Sequence, residues 1–237
     1  MQSASHSPAS HRTSVTLVPI PAVCHTPDVA LLSPMERVRA EQLTNATVRA
    51  EFVTARAALR RLLAVETGID APRIGIRIDG NGRPALNEPG YGDIEFNLSH
   101  SGVLAAIAIA RGGRIGIDIE WRGRARGLRE IVPDVMGPRE ASLLGALDGD
   151  AFTRAFFTCW TRKEAVVKGL GVGVSYPLQT IDVPDLTMPG SVRVDIAPDD
   201  VWCVTTTEPV PGFTLSVAEE VLARTKLDGV PAAQWRR

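Results

Sequence analysis

The sequence has 237 residues, of which 44% are hydrophobic, and a formal net charge of −1 at pH 7. A chain of this length and apolar content can bury a full core, as one large domain or as two halves of about 100 residues each. The near-neutral charge gives no global attraction to nucleic acid or to a membrane surface, so we expect neither as a partner. We also expect no secretion signal and no membrane span, since no stretch reaches the roughly 18 apolar residues that a span needs.

Three cysteines, Cys24, Cys159 and Cys203, are widely spaced and form no CxxC motif. The pattern supports neither a disulfide framework nor a zinc site, and it is typical of a protein of the reducing cytoplasm. We therefore predict a cytoplasmic protein.

The first half of the chain begins with a Ser-, His- and Pro-rich stretch, which predicts a disordered tail over residues 1–14. Ser33-Pro-Met-Glu36 then predicts a helix start with an N-cap, a proline at N1 and a capping box. This short helix carries Arg37 and Arg39. A longer helix is predicted from about Thr47 to Thr67, ended by Gly68. It carries Arg49, Arg56, Arg60 and Arg61, which the pattern alone would leave on a solvated face.

A strand is predicted at Ile74–Ile78, and the Asn81–Pro84 turn places Arg83 at a loop tip, where it could meet a phosphate. The segments 94–102 and 103–110 predict a hairpin. Its first strand carries Ser99 and His100 side by side. Neighbouring strand residues face apart and no G-x-S-x-G motif is present, so a nucleophilic Ser–His pair is not predicted. Either contact with a ligand or a histidine satisfied by backbone carbonyls fits the pattern.

The Arg114–Glu120 stretch alternates isoleucine with glycine and acids, and it predicts a strand with an apolar face and an acidic face. Asp118 and Glu120 point to the same side, roughly 7 Å apart at Cα, so both carboxylates can converge on one hard cation. Gly116 on that face is expected to leave room for something bulky.

Four arginines lie in the segment Trp121–Arg129; as a helix, it would place Arg122, Arg126 and Arg129 on one face. A solvated loop and a docking surface for an acidic protein remain alternatives. Helices follow at about 137–147 and 151–168, the latter ended by Gly169. The last helix carries residues spaced by four that pass from aromatic to charged: Phe152, Phe156, Trp160, Glu164 and Lys168.

Further strands are predicted near 180–183, 191–196, 201–206 and 213–218. The order of helices and strands in both halves predicts an α+β fold. We expect an N-terminal subdomain over residues 15–113, a C-terminal subdomain over residues 114–226 and a flexible C-terminus over residues 227–237.

Two motifs carry a family resemblance. Gly116-Ile-Asp-Ile-Glu120 is followed by Trp160-x-x-Lys-Glu-Ala165 and Lys168, with 44 residues separating Glu120 from Glu164. Together with the upstream segments 96–102 and 82–84, this resembles the 4'-phosphopantetheinyl transferase superfamily, specifically the monomeric surfactin-synthetase-activating type. The resemblance covers roughly residues 33–218 and implies a monomer of two similar α+β subdomains related by a pseudo-twofold axis, with the active site between them.

The resemblance also implies an activity: transfer of 4'-phosphopantetheine from coenzyme A to a serine of an apo acyl or peptidyl carrier protein, releasing adenosine 3',5'-bisphosphate. By similarity, Asp118, Glu120 and Glu164 would hold Mg2+, with Mn2+ as an alternative. Glu164 would be the general base, and Lys168 would neutralise the pyrophosphate. The residues expected to bind coenzyme A are Arg39, Arg49, Arg83, Ser99, His100, Lys163 and Lys168.

The carrier protein must reach Asp118, so we expect it to dock on Trp121–Arg129 and on the helix near Gly137–Leu147. Two other functions use parts of the same pattern. A different Mg2+-dependent phosphoryl-transfer enzyme would need the same carboxylates, whereas a non-catalytic carrier-binding module would keep the arginines and could lose Glu164.

Overall fold

The structure is a computed structural model that describes residues 12–78, 80, 83–173, 175–186, 189–222 and 234–236, without the side chains of residues 124 and 234–236. Its helices are α1 (Thr26–Leu31), α2 (Pro34–Gln42), α3 (Ala46–Thr67), α4 (Leu128–Val135), α5 (Pro138–Gly145) and α6 (Gly149–Leu170). Its strands are β1 (Arg12–Pro19), β2 (Ile76–Ile78), β3 (Pro84–Leu86), β4 (Ile94–Ser101), β5 (Leu104–Arg111), β6 (Ile115–Trp121), β7 (Gly190–Ala197), β8 (Asp200–Thr207), β9 (Phe213–Glu220) and β10 (Gln234–Arg236).

The strands form two four-stranded sheets and one small pair. The first sheet has the order β10-β1-β5-β4, the second has the order β6-β9-β8-β7, and β2 pairs with β3. Helix α3 packs on the first sheet through Leu59 and Leu63. Helix α6 packs on the second sheet through Phe156 and Val166. The predicted α+β class is confirmed.

The start of α2 and the end of α3 follow the predicted capping chemistry, whereas the end of α6 does not. Ser33 and Glu36 form the capping box of α2, with hydrogen bonds of 3.0 and 3.3 Å. Gly68 ends α3 in the left-handed conformation at φ 72°. Helix α6 runs past Gly169, the predicted terminator, and ends at Gly171.

The predicted apolar face of β6 is confirmed. Ile115, Ile117 and Ile119 are fully buried in a cluster with alternate alanines of β5, from Ala106 to Ala110, between the two sheets. The opposite face of β6 meets α6. One strand therefore contributes to the core on one side and to a polar site on the other.

Three predictions at the segment level are wrong. Strand β1 begins at Arg12, so the predicted tail over residues 1–14 fails for 12–14; residues 1–11 lie outside the described residues. Residues 234–236, predicted as flexible, pair in parallel with β1, whereas residues 223–233 and 237 are not described. The predicted strand near 180–183 is replaced by a 3-10 turn at Leu178–Thr180.

The expected boundary between residues 113 and 114 falls between β5 and β6, which belong to different sheets. We keep the division into two subdomains as a proposal, with β10 as the element that returns from the C-terminal half to the first sheet. Among the described helices, none is long and apolar enough to cross a bilayer.

Candidate active site

The site lies where β4 and β6, the edge strands of the two sheets, run beside each other. The Ser99 hydroxyl donates a hydrogen bond to Asp118 Oδ1 at 2.9 Å. Two residues further along each strand, the Ser101 hydroxyl donates a hydrogen bond to Glu120 Oε2 at 2.7 Å. The two serines of β4 thereby fix the orientation of both predicted carboxylates of β6.

Helix α6 adds a cation to this row. Lys168 Nζ donates to Asp118 Oδ1 at 2.6 Å and to Ser99 Oγ at 3.0 Å. Asp118 is only 3% exposed, and its other oxygen, Oδ2, is buried without a hydrogen-bond partner among the described residues. An unpaired buried carboxylate oxygen is costly, so this atom is a candidate ligand for a cation.

These residues line a cavity of about 330 Å³, formed by Leu98, Ser99, His100, Asp118, Glu120, Trp160, Glu164 and Lys168. It contains all the residues predicted as catalytic or metal-binding. Trp160 stacks on Phe156, with ring centroids 6.0 Å apart, so the aromatic part of the α6 stripe anchors the charged part.

Glu164 titrates differently from an ordinary glutamate. Burial raises the pKa of its carboxyl, and the nearby negative charges of Asp118 and Glu120 raise it further, while Lys168 acts in the opposite direction. A carboxylate with a raised pKa is a better proton acceptor than an exposed one.

A second cavity of about 340 Å³ continues from the first, since Leu98, Glu164 and Lys168 line both. Arg56 and Asn97, which the sequence did not single out, contribute to it. Burial lowers the pKa of the Arg56 guanidinium, with Glu36 opposing that effect from 4.0 Å. Its Nη1 atom is buried and has no hydrogen-bond partner among the residues that the structure describes. The sequence does carry a signal for Arg56: it follows Arg49 by seven residues, which places both arginines on one face of α3.

The arginines predicted to bind coenzyme A are distributed unevenly. Arg83 lines the second cavity and forms an ion pair with Glu95. Arg49 is half-buried on α3, outside the lining of either cavity, and its Nε atom is buried with no hydrogen-bond partner within the described ranges. Arg39 is exposed on α2 and also lies outside the lining. The structure thus brings Arg83 to the site and does not bring Arg39 there.

Lys163 was predicted to contact coenzyme A, and this prediction is wrong. It is fully buried, forms an ion pair with Glu140 of α5, and donates to the carbonyls of Val135 and Leu178 at 3.1 and 3.0 Å. Consecutive residues of a helix point about 100° apart because a turn has 3.6 residues. Since Glu164 faces the cavity, Lys163 faces α5 instead.

Gly116 does not leave room for a ligand, contrary to the prediction. A Cβ atom there would overlap the carbonyl oxygen of Ala165 and the backbone nitrogen of Gly169. Gly169, which was predicted to end α6, is itself buried inside that helix. The two glycines let the α6 backbone approach β6 closely, and this approach brings Lys168 to Asp118.

The arginine face that a helix over Trp121–Arg129 would present does not form, because residues Arg122–Arg124 make a 3-10 turn and α4 begins only at Leu128. Arg122 is bound to Glu208 and to Thr214. Arg129 pairs with Asp148.

The three predicted metal ligands share the first cavity, but the described residues include no group of three or more His, Cys, Asp or Glu side chains close enough to hold an ion as they stand. Asp118 pairs with Lys168 instead.

The comparisons with known proteins identify the family of the chain. A family model described as the 4'-phosphopantetheinyl transferase superfamily matches residues 114–217, a range that contains both β6 and α6. The 4'-phosphopantetheinyl transferase HetI of Nostoc sp. is 31% identical over 170 residues, which is 71% of this chain and 71% of that protein. The 4'-phosphopantetheinyl transferase Sfp of Bacillus subtilis is 31% identical over 160 residues, covering 67% of this chain and 69% of that protein.

A solved holo-(acyl-carrier-protein) synthase from Bacillus anthracis, in complex with CoA (3',5'-ADP), is 18% identical with a TM-score of 0.38. The match covers 46% of this chain and 96% of the synthase chain.

Proposed function

Because the chain belongs to the 4'-phosphopantetheinyl transferase superfamily, a family of enzymes, we propose that it transfers the 4'-phosphopantetheine group of coenzyme A to a serine of an apo acyl or peptidyl carrier protein. The products are the holo carrier protein and adenosine 3',5'-bisphosphate. One observation carries the proposal: Asp118, Glu120, Glu164 and Lys168 line one cavity, which continues into a second cavity lined by Arg56 and Arg83.

The acidic residues fit a divalent metal ion. Asp118, Glu120 and Glu164 offer only carboxylate oxygens, which Mg2+ prefers as protein ligands, and Asp118 Oδ2 is a buried oxygen that lacks a hydrogen-bond partner in the described part of the chain. We propose that these three residues would hold Mg2+, with Mn2+ as an alternative. When bound, the ion would neutralise negative charge on the pyrophosphate oxygens.

The protein residues contribute a base and a cation. The serine hydroxyl of the carrier attacks the β-phosphorus of coenzyme A, its proton passes to the Glu164 carboxylate, and the bond to the 5'-phosphate of adenosine 3',5'-bisphosphate breaks. Lys168 carries positive charge beside Asp118 and stabilises the negative charge that develops on the leaving phosphate. Ser99 holds both Asp118 and Lys168 in position.

Coenzyme A would extend from the first cavity into the second. In the second cavity, Arg83 and Arg56 supply guanidinium groups for its phosphates. In the first cavity, Ser99 and His100 would contact coenzyme A. Between the two arginines outside the lining, we favour Arg49 over Arg39 for a phosphate contact. Arg49 has a buried donor that meets no acceptor among the described residues, whereas Arg39 is exposed.

We further propose that the enzyme acts as a monomer in a reducing cytoplasm, a location that its three free cysteines support. The carrier protein would dock near Trp121–Arg129 and Gly137–Leu147. Arg122 does not belong to that surface, since it is bound internally.

The test is to incubate the protein with coenzyme A, Mg2+ and an apo carrier domain, and to measure the carrier by intact-mass spectrometry and the nucleotide by chromatography. We expect the mass of one phosphopantetheinyl group on the carrier and one adenosine 3',5'-bisphosphate per transfer. A carrier whose serine is replaced by alanine is the control. No mass shift with either an acyl or a peptidyl carrier would overturn the proposal.

A further inference from the structure

A chain of buried hydroxyl groups lies under α6, beside the candidate site but outside the lining of both cavities. It consists of Thr161 of α6, Ser216 of β9 and Thr206 of β8, each at most 2% exposed. Ser216 Oγ lies 2.8 Å from Thr161 Oγ1 and 2.9 Å from Thr206 Oγ1. We call these three residues the hydroxyl chain.

The groups at its two ends fix the direction of its hydrogen bonds. At one end, the Arg162 Nε–H group, which cannot accept, donates to Thr206 Oγ1 at 2.8 Å. At the other end, the Thr161 hydroxyl donates to the Phe157 carbonyl at 2.8 Å. Each hydroxyl has one proton to donate, so Thr206 donates to Ser216 and Ser216 donates to Thr161. Hydrogen bonds that run in one direction strengthen one another, so each hydroxyl holds its neighbours in a single orientation.

The hydroxyl chain adjoins Asp118 on the face of the second sheet that meets α6. Ser216 pairs directly with Asp118 across β9 and β6, and Thr206 pairs with Ser216 across β8 and β9. Opposite residues of antiparallel strands point to the same face and lie about 5 Å apart at Cβ. Thr161 meets this row from the helix, so its bond to Ser216 fixes α6 one strand away from Asp118.

Thr161 has a fixed relation to the charged residues of α6. It lies three residues before Glu164 and seven before Lys168, and these spacings place all three on one side of a helix. The approach of Gly169 to Gly116 is a further contact of α6 with the same sheet, roughly 12 Å along the helix from Thr161. Glu164 and Lys168 lie between these two contacts.

The two contacts restrict different motions of α6. The glycine pair sets how closely the helix approaches β6, but a glycine has no side chain that resists rotation of the helix about its axis. The hydrogen bond between Thr161 and Ser216 is directional, so it resists that rotation. Helix side chains extend about 5–6 Å from the axis, so a rotation of about 10° would move the Glu164 carboxylate by about 1 Å. A displacement of that size can lower a rate by about 10²-fold.

We propose that the hydroxyl chain positions Glu164 for proton transfer by fixing the rotation of α6 on the second sheet. Thr161 and Ser216 are then positioning residues, since they act through Glu164 and contact no substrate. The inference rests on the proposed function, because that function gives Glu164 its proton from the carrier serine. The competing explanation is that the hydroxyl chain only satisfies the buried Arg162 guanidinium and contributes to stability alone.

The experiment compares Thr161→Val, which keeps the size of the side chain and removes the hydroxyl, with Thr161→Ser, which keeps the hydroxyl. Ser216→Ala removes the same hydrogen bond from the side of the sheet. Steady-state transfer assays give kcat and the KM of each substrate, urea denaturation gives the stability, and electron paramagnetic resonance gives the Mn2+ affinity without any transfer.

Thr67→Val is the matched control. Thr67 is a buried threonine of α3, and its hydroxyl donates to the Leu63 carbonyl four residues earlier at 2.7 Å, as the Thr161 hydroxyl does to Phe157 in α6. The control therefore removes the same kind of helix hydrogen bond from the other sheet layer, outside the lining of both cavities.

We expect Thr161→Val and Ser216→Ala each to lower kcat by about tenfold to hundredfold, with both KM values within about twofold of the wild type. The Kd for Mn2+ should rise severalfold, because Glu164 moves relative to Asp118. Thr161→Ser should keep kcat within about threefold of the wild type, since its hydroxyl makes the same bond. Thr67→Val should lower the urea midpoint and leave kcat and the Mn2+ affinity unchanged.

Three results decide the question. Wild-type kcat in both Thr161→Val and Ser216→Ala, with urea midpoints lowered as in Thr67→Val, would overturn the inference and leave the proposed function intact. A loss of kcat in Thr161→Ser as large as in Thr161→Val would also overturn it, because the hydroxyl would not be the cause. A wild type that transfers nothing would overturn the proposed function. In that case, a loss of Mn2+ affinity in Thr161→Val that Thr161→Ser recovers would still support the positioning of Glu164, and an unchanged Mn2+ affinity would overturn it.

Discussion

Lys168 of α6 donates a hydrogen bond to Asp118 Oδ1 of β6 at 2.6 Å, and both also contact the Ser99 hydroxyl of β4. An intrahelical ion pair with Glu164 would have kept Lys168 on its own helix. The observed pairing instead joins an edge strand of each sheet to one helix. It leaves Glu164 facing the same cavity, with its pKa raised by burial and by Asp118.

Lys168 should matter for turnover more than for binding. We expect Lys168→Met to lower kcat by about 10²- to 10³-fold, because it removes charge stabilisation at the leaving phosphate. Lys168→Arg keeps the charge but not its position, so its kcat should lie between those of the wild type and Lys168→Met. The measurement is steady-state transfer to an apo carrier. Wild-type kcat in the methionine variant would show that the cation acts elsewhere.

The carboxylates should control metal binding as well as rate. Asp118→Asn and Glu164→Gln keep the shape of each side chain and remove its charge, so we expect transfer to fall by at least about 10²-fold. Mn2+ binding, followed by electron paramagnetic resonance, should weaken in parallel. Circular dichroism checks that both variants stay folded. Unchanged Mn2+ affinity in both would place the metal at other residues.

The sequence predicted the parts of the site that depend on local periodicity. Alternation placed Asp118 and Glu120 on one face of β6, and the spacing of four placed Glu164 and Lys168 at the end of an anchored stripe. Both follow from backbone geometry, which the residue pattern reveals.

The predictions that were wrong concern contacts between segments that are distant in the sequence. Gly116 was predicted to leave room for a ligand and Gly169 to end a helix, but together they allow a close contact between α6 and β6 that no local pattern can reveal. Lys163 has the same residue type as Lys168 and faces Glu140 instead. Strand β1 was missed although Val15 and Leu17 alternate with polar residues, because the Ser- and His-rich stretch before it dominated the composition.

The buried Lys163–Glu140 pair should be structural. We expect Lys163→Met to lower the free energy of unfolding by about 3–5 kcal/mol, since it leaves the Glu140 carboxylate buried without its counter-charge. Urea denaturation at pH 7 measures this.

The double variant Lys163→Met with Glu140→Gln is the control. Glu140 accepts hydrogen bonds from the backbone N–H groups of Gly137 and Val183, one on each oxygen. Gln carries no charge and its single amide oxygen can keep one of these two bonds, so part of the stability should return. A residue that contacted coenzyme A would behave differently: Lys163→Met would raise the KM for coenzyme A and leave the urea midpoint unchanged.

The contact between α6 and β6 should not tolerate a methyl group. We expect Gly116→Ala to destabilise the protein by at least about 2 kcal/mol, because the new Cβ would meet backbone atoms of Ala165 and Gly169, which cannot rotate away. Gly145→Ala is the matched control, since no atom lies within 4 Å of a Cβ placed there in the last turn of α5. It should be neutral or stabilise the helix by up to about 1 kcal/mol. Equal stabilities for the two variants would contradict the close approach.

The fall in stability at acid pH should arise partly from the protonation of Glu220. A hydrogen bond from the Arg114 side chain, at 2.9 Å, is the largest cause that lowers the pKa of the Glu220 carboxyl. A pKa lower in the folded state than in the unfolded state means that the folded protein binds fewer protons, so the contribution to stability is present above the unfolded value of about 4.3 and is lost as pH falls through the folded value. We therefore expect the free energy of unfolding of Glu220→Gln to lie below that of the wild type at pH 7 and to converge with it from about pH 5 downward.

Urea titrations at a series of pH values measure the difference. Arg114→Met should likewise reduce the loss of stability between pH 7 and acid pH. A difference between Glu220→Gln and the wild type that stays constant from pH 7 to acid would contradict the pairing as a source of pH-dependent stability.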